Sequence, residues 1–423
     1  MRILAVHNHY QRPGGEDAVF AAETALLESA GHEVVRFTRR NDDVERMSRR
    51  EVVAQTFWSR DSADRVAALI EAHRPHVMHC HNTFPLVSPS VYRTARGRGV
   101  GVVQTLHNYR PLCPKAELMR NAAPCEACLG RSFAWPAIRH ACYRGSRAQT
   151  GVVAAMTAFH RARGTYSRDV DRYVTPTAFV RGRFVAGGFP AERVVAKPNF
   201  VPHDPGMRDG PAAPGEGGDV VFVGRLSPEK GLDVLLDAWS RLAAWGALPP
   251  GSRLRVLGDG PLAEDVQAAA AQDPRIEWLG HRPREAVMDA IGAARVLVMP
   301  SVWYETFGLC IAEAFACGTP VVASRLGAMA ELVEHGRTGF LFAPGAAQDL
   351  ADTLVRAFAA DLAEMRRAAR ARYEAEFSAE ANLPLLLRIY EEAIAARGAT
   401  LRRPGTSEHG HPATPSMRGS TIR

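Results

Sequence analysis

The sequence has no apolar run near the ~18 residues that a membrane-crossing helix requires. Met1 leads directly into RILAVHNHY, too short and too polar an opening for a signal peptide. A cytosolic protein is therefore expected. No internal repeat of roughly 20–50 residues appears, which sets solenoids and propellers aside. Arginine runs such as TRRNDD and MSRRE are interleaved with acids, and no basic cluster carries the aromatic interleaving of a single-strand nucleic-acid groove. No nucleic-acid partner is expected. Cysteine is sparse, seven in 423 residues, yet four of the seven fall between positions 113 and 142.

What is present is ample for two domains. A chain of 423 residues exceeds the roughly 250–300 that one core usually serves. Its 46% hydrophobic and 23% charged residues are ordinary for a globular protein. Lys plus Arg number 52 against 45 Asp plus Glu, a net charge of +7 that favours anionic ligands or an anionic membrane face.

The first half alternates short β-type runs (RILAVH, HEVVRFT, HVMHCHN, VGVVQTLH) with helix-length stretches such as EDAVFAAETALLESAG, which Gly31 should stop. This rhythm predicts βαβ units and a buried parallel sheet. Around HDPGMRDGPAAPGEGGD, residues 203–219, the apolar signal gives way to Pro and Gly, the composition of an exposed linker. The rhythm then restarts with DVVFVG, a helix from about Glu229, RLRVLG, RIEWLG, RVLVMP and TPVVAS. The expected α/β architecture is two doubly wound, Rossmann-like domains with a cleft between them: an acceptor-side domain over 1–202 with an insertion at 108–147, a linker at 203–218, and a second domain over 219–376. A C-terminal helix over 377–397, in which Pro384 should kink or start the helix, is expected to pack back toward the first domain, and 398–423 is expected to be disordered.

Ligands of such sheets bind outside the carboxyl ends of the strands. After VVFVG comes RLSPEKGL, placing Arg225 and Lys230 at a helix entry, where two cations and free backbone donors suit a diphosphate. The plain alternative is an ordinary helix start, with Ser227 as cap, Pro228 at the first position and Lys230 in solvent. After VLVMPS comes ETFGLCIAE. Phe307, Gly308 and Leu309 would offer unpaired N–H groups there, and Glu305 and Glu313 would stand roughly 12 Å apart along a helix. Each glutamate alone reads as a surface charge. Together they suit the two ends of an elongated ligand with hydroxyls at its ends and charge in its middle, a nucleotide sugar: Glu305 toward the sugar, Glu313 toward the ribose.

The run VGRLSPEKGLDVLLDAW, then LGDGP, EWLGH, PSVWYETFGLCIAEAFACGTPVVAS and GRTGFLF, resembles the nucleotide-binding domain of the glycosyltransferase family four enzymes, and the likeness extends in order over nearly all of 1–397. The resemblance implies the GT-B fold and a retaining sugar transfer. It implies Arg225 and Lys230 on the distal phosphate, Glu305 on the donor sugar, Glu313 on the ribose, the Phe307–Gly308–Leu309 backbone on the phosphates, and Leu279, Gly280 and His281 near the base. In SRLGAMAE a second glycine is common after Gly327, where this chain has Ala328.

In the first half, Gly14 and Gly15 precede a helix. A lone GG is as readily a turn, but the resemblance implies a loop that closes on the donor diphosphate and the acceptor. His107 ends a buried strand in QTLHN, and the resemblance places a cleft histidine there, acting on or positioning the donor sugar; a structural hydrogen-bonding histidine is the alternative. His79 and His81 either shape an acceptor pocket or form a satisfied buried pair. Cys113, Cys125, Cys128 and Cys142 suit a structural zinc, with free thiols or a local disulfide as the other readings.

The function expected is transfer of a sugar from a UDP-, GDP- or ADP-sugar to a sugar, lipid-linked or small-molecule acceptor, in cell-surface polysaccharide or glycolipid synthesis. No catalytic cofactor is expected, and the protein is expected to be cytoplasmic, with an anionic membrane face as a partner. A nucleotide-sugar epimerase on the same architecture and a zinc-stapled binding protein are the rival readings.

Overall fold

The computed structural model describes residues 1–11 and 14–398. The first half is built on a six-stranded sheet: β1 (Arg2–His9), β2 (Glu33–Arg40), β3 (Val77–Cys80), β4 (Gly101–Thr105) and, after a two-stranded hairpin of β5 (Met119–Arg120) and β6 (Ala123–Pro124), β7 (Arg172–Thr175) and β8 (Val194–Ala196). The second half repeats the plan with β9 (Asp219–Val223), β10 (Arg253–Leu257), β11 (Ile276–Gly280), β12 (Val296–Met299), β13 (Val321–Ser324) and β14 (Gly339–Phe342). The orders are β2-β1-β3-β4-β7-β8 and β11-β10-β9-β12-β13-β14, and every pairing in both sheets is parallel.

These strands are continuous apolar runs because helices cover both faces of each sheet. Alternate residues sort to opposite sides: Val220, Val256 and Val298 pack with the helices Leu232–Ala244 and Ala347–Ala359, while Val221, Leu257 and Leu297 pack with Leu309–Ala316. The strand order reverses between β1 and β3 in one sheet and between β9 and β12 in the other. At such a reversal neighbouring loops leave in opposite directions and open a crevice.

Three strands, β7 and the edge strands β8 and β14, lie outside the runs singled out by apolar content. They are three or four residues long, too short to show a period. The helix expected from about Glu229 begins later, because Gly231 is left-handed (φ +66°) and separates a single 3-10 turn, Pro228–Lys230, from the helix at Leu232. Pro384 neither starts nor ends its helix, which runs Ala379–Ala395 around it after a π turn at Tyr373–Phe377. That helix lies on the first sheet, with Leu386, Ile389, Tyr390 and Ala393 against Ile3, Val77 and Val103. Residues 203–218 carry no helix or strand, but are tied to the second domain: Gly215 N–H donates to Phe358 O at 2.8 Å and Leu362 N–H to Ala212 O at 2.9 Å. Beyond Gly398, the expectation for 398–423 lies outside the described residues. Among the described residues no helix is long and apolar enough to cross a membrane.

Candidate active site

In the second domain the crevice is formed by the loops after β9 and β12. An added Cβ at Gly231 would stand 2.1 Å from Pro300 O. Only glycine permits both this approach and the left-handed turn, and the approach delivers Lys230 to the β12 loop. Lys230 Nζ donates to Glu305 Oε1 at 2.7 Å, and Ser301 Oγ donates to the same oxygen at 2.8 Å. Burial pulls the Lys230 ammonium down, but the Glu305 carboxylate outweighs it and holds its pKa above the ordinary value. Arg225 stays mostly exposed, its guanidinium paired with Glu229, and Ser227 Oγ donates to the same Glu229 oxygen at 2.7 Å. Ser227 therefore orients a glutamate; it makes no side-chain cap.

Glu305 lies in the loop and Glu313 in the second turn of Leu309–Ala316. Burial pushes the Glu313 pKa up against the opposing Arg284, whose Nη1 is 2.8 Å from Glu313 Oε1. Oε2 of neither carboxylate makes a hydrogen bond among the described residues, which leaves each an acceptor for a ligand hydroxyl. Phe307 points its ring into the core, 5.7 Å from Phe377, so only its backbone faces the crevice. Gly308, left-handed at φ +89°, opens the helix, and the N–H groups of Phe307, Gly308 and Leu309 donate no bond among the described residues. Leu279 and Gly280 end the edge strand β11, and Gly280 O already accepts from Gly258 N–H at 2.9 Å. His281 follows them in an exposed loop.

The first domain approaches this helix start directly. A Cβ on Gly15 would meet Leu309 Cδ1 at 3.8 Å. The loop is pinned by Asp17, which accepts from Gly14 N–H at 2.8 Å and lies 3.0 Å from both His7 Nε2 and His9 Nδ1. Glu16 accepts from Tyr10 and from Asn108 Nδ2, the latter at 2.6 Å. Thr177 Oγ1 reaches Thr306 O at 3.3 Å, and Glu331 takes the N–H groups of Ala178 and Phe179 at 2.8 and 2.7 Å.

Behind the crevice, His107, at the end of β4, has Nε2 3.0 Å from His81 Nδ1, while His81 Nε2 stands 3.5 Å from Glu23 Oε2. His79 is held by Tyr390 and Thr105, at 2.8 and 2.7 Å. Burial drives the pKa of His81 well below its ordinary value and lowers those of His79 and His107 to about 4 and about 3, so all three rings are neutral. A neutral His81 beside a carboxylate keeps its proton on Nε2, so its Nδ1 accepts from His107 Nε2–H. His107 Nδ1 is left as an acceptor beside the pocket that His81, Asn82, His107, Asn108 and Arg110 line. Glu23 is fully buried; burial opposes its charge, but Lys197, with Nζ 2.8 Å away, pulls its pKa below the ordinary value.

Glu23, Lys197, Arg284 and Ser301 were not found from sequence. Glu23 did leave a signal, an acid in the buried stripe Val19, Phe20, Glu23, Thr24, Leu27.

Cys113, Cys125, Cys128 and Cys142 border one small pocket with His140, and all seven cysteines of the chain are free thiols. Burial raises the Cys128 thiol to about 11. Among the described residues, the side-chain groups with ligand atoms within 4.8 Å of one another are His7–His9–Asp17 and Glu23–His79–His81, not the cysteines. The Lys197 ammonium on Glu23 disfavours a cation at the second group.

Residues 14–199 match the glycosyl transferase 4-like domain, and residues 217–360 match glycosyl transferases group 1. The chain is 33% identical over 218 residues to the D-inositol 3-phosphate glycosyltransferase of Mycolicibacterium smegmatis, covering 49% of this chain and 48% of that protein. It is 35% identical over 133 residues to the sulfoquinovosyl transferase SQD2 of Arabidopsis thaliana, covering 31% of this chain and 24% of that one. The chain thus spans about half or less of the curated relatives it matches. The crystal structure of Anabaena Alr3699/HepE in complex with UDP superposes with a TM-score of 0.62 at 19% identity, covering 92% of this chain and all of that one. With a family domain matched in each half, in chain order, and two facing parallel-sheet domains, the chain belongs to the group 1, family-four type of glycosyltransferases and has the GT-B fold.

Proposed function

We propose that this protein transfers a sugar from a nucleotide-sugar donor to an acceptor hydroxyl with retention of configuration, in the synthesis of a cell-surface polysaccharide or glycolipid. The observation that carries the reading is the Glu305 carboxylate held by both Lys230 and Ser301 where the strand order of the second sheet reverses. A cation, a carboxylate and the free N–H groups of a helix start there face the Gly14–Gly15 loop. The diphosphate lies against Lys230, Arg225 and those N–H groups, the sugar hydroxyls reach Glu305, and the ribose reaches Glu313. His107 Nδ1 accepts from a donor-sugar hydroxyl, and His79 and His81 stand behind it toward the acceptor.

Transfer breaks the bond between the anomeric carbon and the phosphate oxygen. The acceptor oxygen bonds to that carbon on the same face, and its proton passes to the leaving phosphate. The chain's contribution is stabilisation of the charge growing on that phosphate, which in a water-poor site is commonly the largest single effect. Neither family domain supports the epimerase reading. UDP or UDP-glucose in related solved structures makes a UDP-sugar the first donor to test, before GDP- and ADP-sugars.

Calorimetry with free nucleoside diphosphate tests the assignment. Glu313→Gln is expected to weaken binding by about 1–3 kcal/mol, the value of a charged hydrogen bond. Glu305→Gln is expected to leave it within a few-fold, because the change releases Lys230 toward the phosphates. Equal losses in both variants would reject the placement of ribose and sugar at opposite ends.

The four clustered cysteines are proposed to hold a structural zinc, supported by four sulfurs around one pocket. Their spacing requires them to draw together as metal displaces the thiol protons. About one zinc per chain is expected by elemental analysis, with Cys125→Ser lowering Tm more than donor affinity. Metal-free protein of full stability would leave only free thiols.

A further inference from the structure

We propose that one face of the first domain docks onto an anionic phospholipid bilayer. The face comprises the helix Arg49–Trp58, the end of the helix Arg147–Ala162, and the segment 131–139, which ends in the short helix Trp135–Arg139. Residues 127–168 contain seven arginines (131, 139, 144, 147, 161, 163 and 168) and no Asp or Glu. The whole chain carries +7, so this one stretch holds the equivalent of the entire excess. Arginines elsewhere are commonly paired with acids. Among the described residues none of these seven has a carboxylate within 4.0 Å.

Charge alone would fit any polyanion. The aromatic residues decide for a bilayer: Trp135, Phe133 and Phe159 are 50%, 40% and 38% exposed, large rings left in water. Indole and phenyl rings flanked by arginines are the composition of the membrane–water interface, where the rings enter the headgroup layer and the guanidinium groups meet phosphates. The elements are continuous. The Arg131 guanidinium lies 5.8 Å from the centre of the Trp135 ring, and Arg131 O accepts from Arg161 Nη1 at 3.0 Å. Arg163 covers Trp58 at 4.7 Å and Phe159 at 5.9 Å, and Phe159 meets Phe57 at 5.9 Å. Exposed Val53 sits one turn before Phe57.

This face has a functional position. Thr56 and Met156, on the same two helices, line the pocket that ends at His107, Asn108 and Arg110. A bilayer against the outer face would hold a lipid-borne acceptor at the mouth of that pocket. This last step rests on the transfer reading; the docking itself does not.

The full chain is sedimented with vesicles of phosphatidylcholine alone and of phosphatidylcholine with phosphatidylglycerol, at low and high salt. Binding is expected to the anionic vesicles only and to weaken as salt rises. Arg131→Glu/Arg139→Glu/Arg163→Glu, all exposed on this face, should lower the partition coefficient at least tenfold. The same reversal at exposed Arg337, Arg356 and Arg367 of the second domain, which removes equal charge, should lower it less than threefold. Phe133→Ala/Trp135→Ala should remove the binding that persists at high salt. Equal loss in both arginine triples would overturn the proposal, as would no binding to anionic vesicles at low salt. Tighter binding to a soluble acidic polysaccharide than to vesicles would overturn it in favour of that partner. Donor-dependent transfer to a water-soluble acceptor by the patch variants separates failure of docking from failure of the transferase reading.

Discussion

Lys230→Ala is expected to lower kcat for sugar transfer by roughly 10²–10³-fold, the usual cost of deleting one fixed donor aimed at developing charge. Gly231 and its approach to Pro300 O leave Lys230 little choice of position. Glu305, 2.7 Å away, keeps its ammonium charged despite burial. Removing the cation does more than delete an attraction. It leaves Glu305, 5% exposed, with only Ser301 as partner, so the site becomes repulsive to a diphosphate. A lost partner for a buried charge also destabilises the fold, and the two effects must be separated. The double change Lys230→Met/Glu305→Gln removes both charges, so thermal stability should largely recover while the rate does not. Single-turnover measurements with saturating donor are the readout. A fall of less than tenfold in the single variant, or recovery of rate in the double one, would take Lys230 out of the chemistry. Lys230→Arg is expected to be a poor rescue, since a planar fork cannot occupy the position of a compact ammonium beside Glu305.

What could be read in advance depended on how far apart the cooperating residues lie in the chain. Arg225 and Lys230 follow one strand, and Glu305 and Glu313 another. Each pair lies within nine positions, with glycines that mark the backbone turns, so the second domain's crevice was legible as local patterns. The strand rhythm likewise gave the parallel architecture, because strands buried on both faces leave continuous apolar runs. The first domain's polar interior was hidden. Glu23 meets Lys197, His79 meets Tyr390, and Lys197 meets Asn382 across 174, 311 and 185 positions, and no local pattern encodes such pairings. His79 and His81 could be noted as residues but not joined to a carboxylate. Arg284 was missed for the same reason, being an ordinary helix-start arginine until the fold sets it 2.8 Å from Glu313.

Glu23→Ala is expected to destabilise the first domain by about 3–5 kcal/mol, the usual cost of leaving a buried charge without its partner. For a domain of this size that corresponds to a fall of roughly 6–20 °C in Tm. The charge left behind is Lys197, 1% exposed, whose remaining partners are Asn382 Oδ1 at 2.6 Å and Pro198 O at 3.1 Å. Neither is anionic. Glu23→Gln/Lys197→Met should regain most of the loss by removing both charges. It should still transfer sugar slowly, because the carboxylate that fixes the proton on His81 Nε2, and through it the acceptor face of His107, is gone. The network also sets the response to acid. His79 and His107 have folded pKa values of about 4 and about 3, below the ordinary 6.5. From pH 6.5 down toward those values the unfolded chain takes up protons that the folded chain refuses. Stability is therefore full above 6.5 and falls as pH drops through that window, by about 1.4 kcal/mol per unit for each such histidine. Glu23, with its pKa lowered by Lys197, acts in the same direction: its contribution is present above the ordinary 4.5 and is lost as pH falls toward its folded value. Urea unfolding at pH 7.5, 6 and 5 reads this directly. A wild-type stability that stays level from pH 7 to 5, or a Glu23→Ala protein as stable as the double variant, would show that the buried charges are not coupled as the distances require.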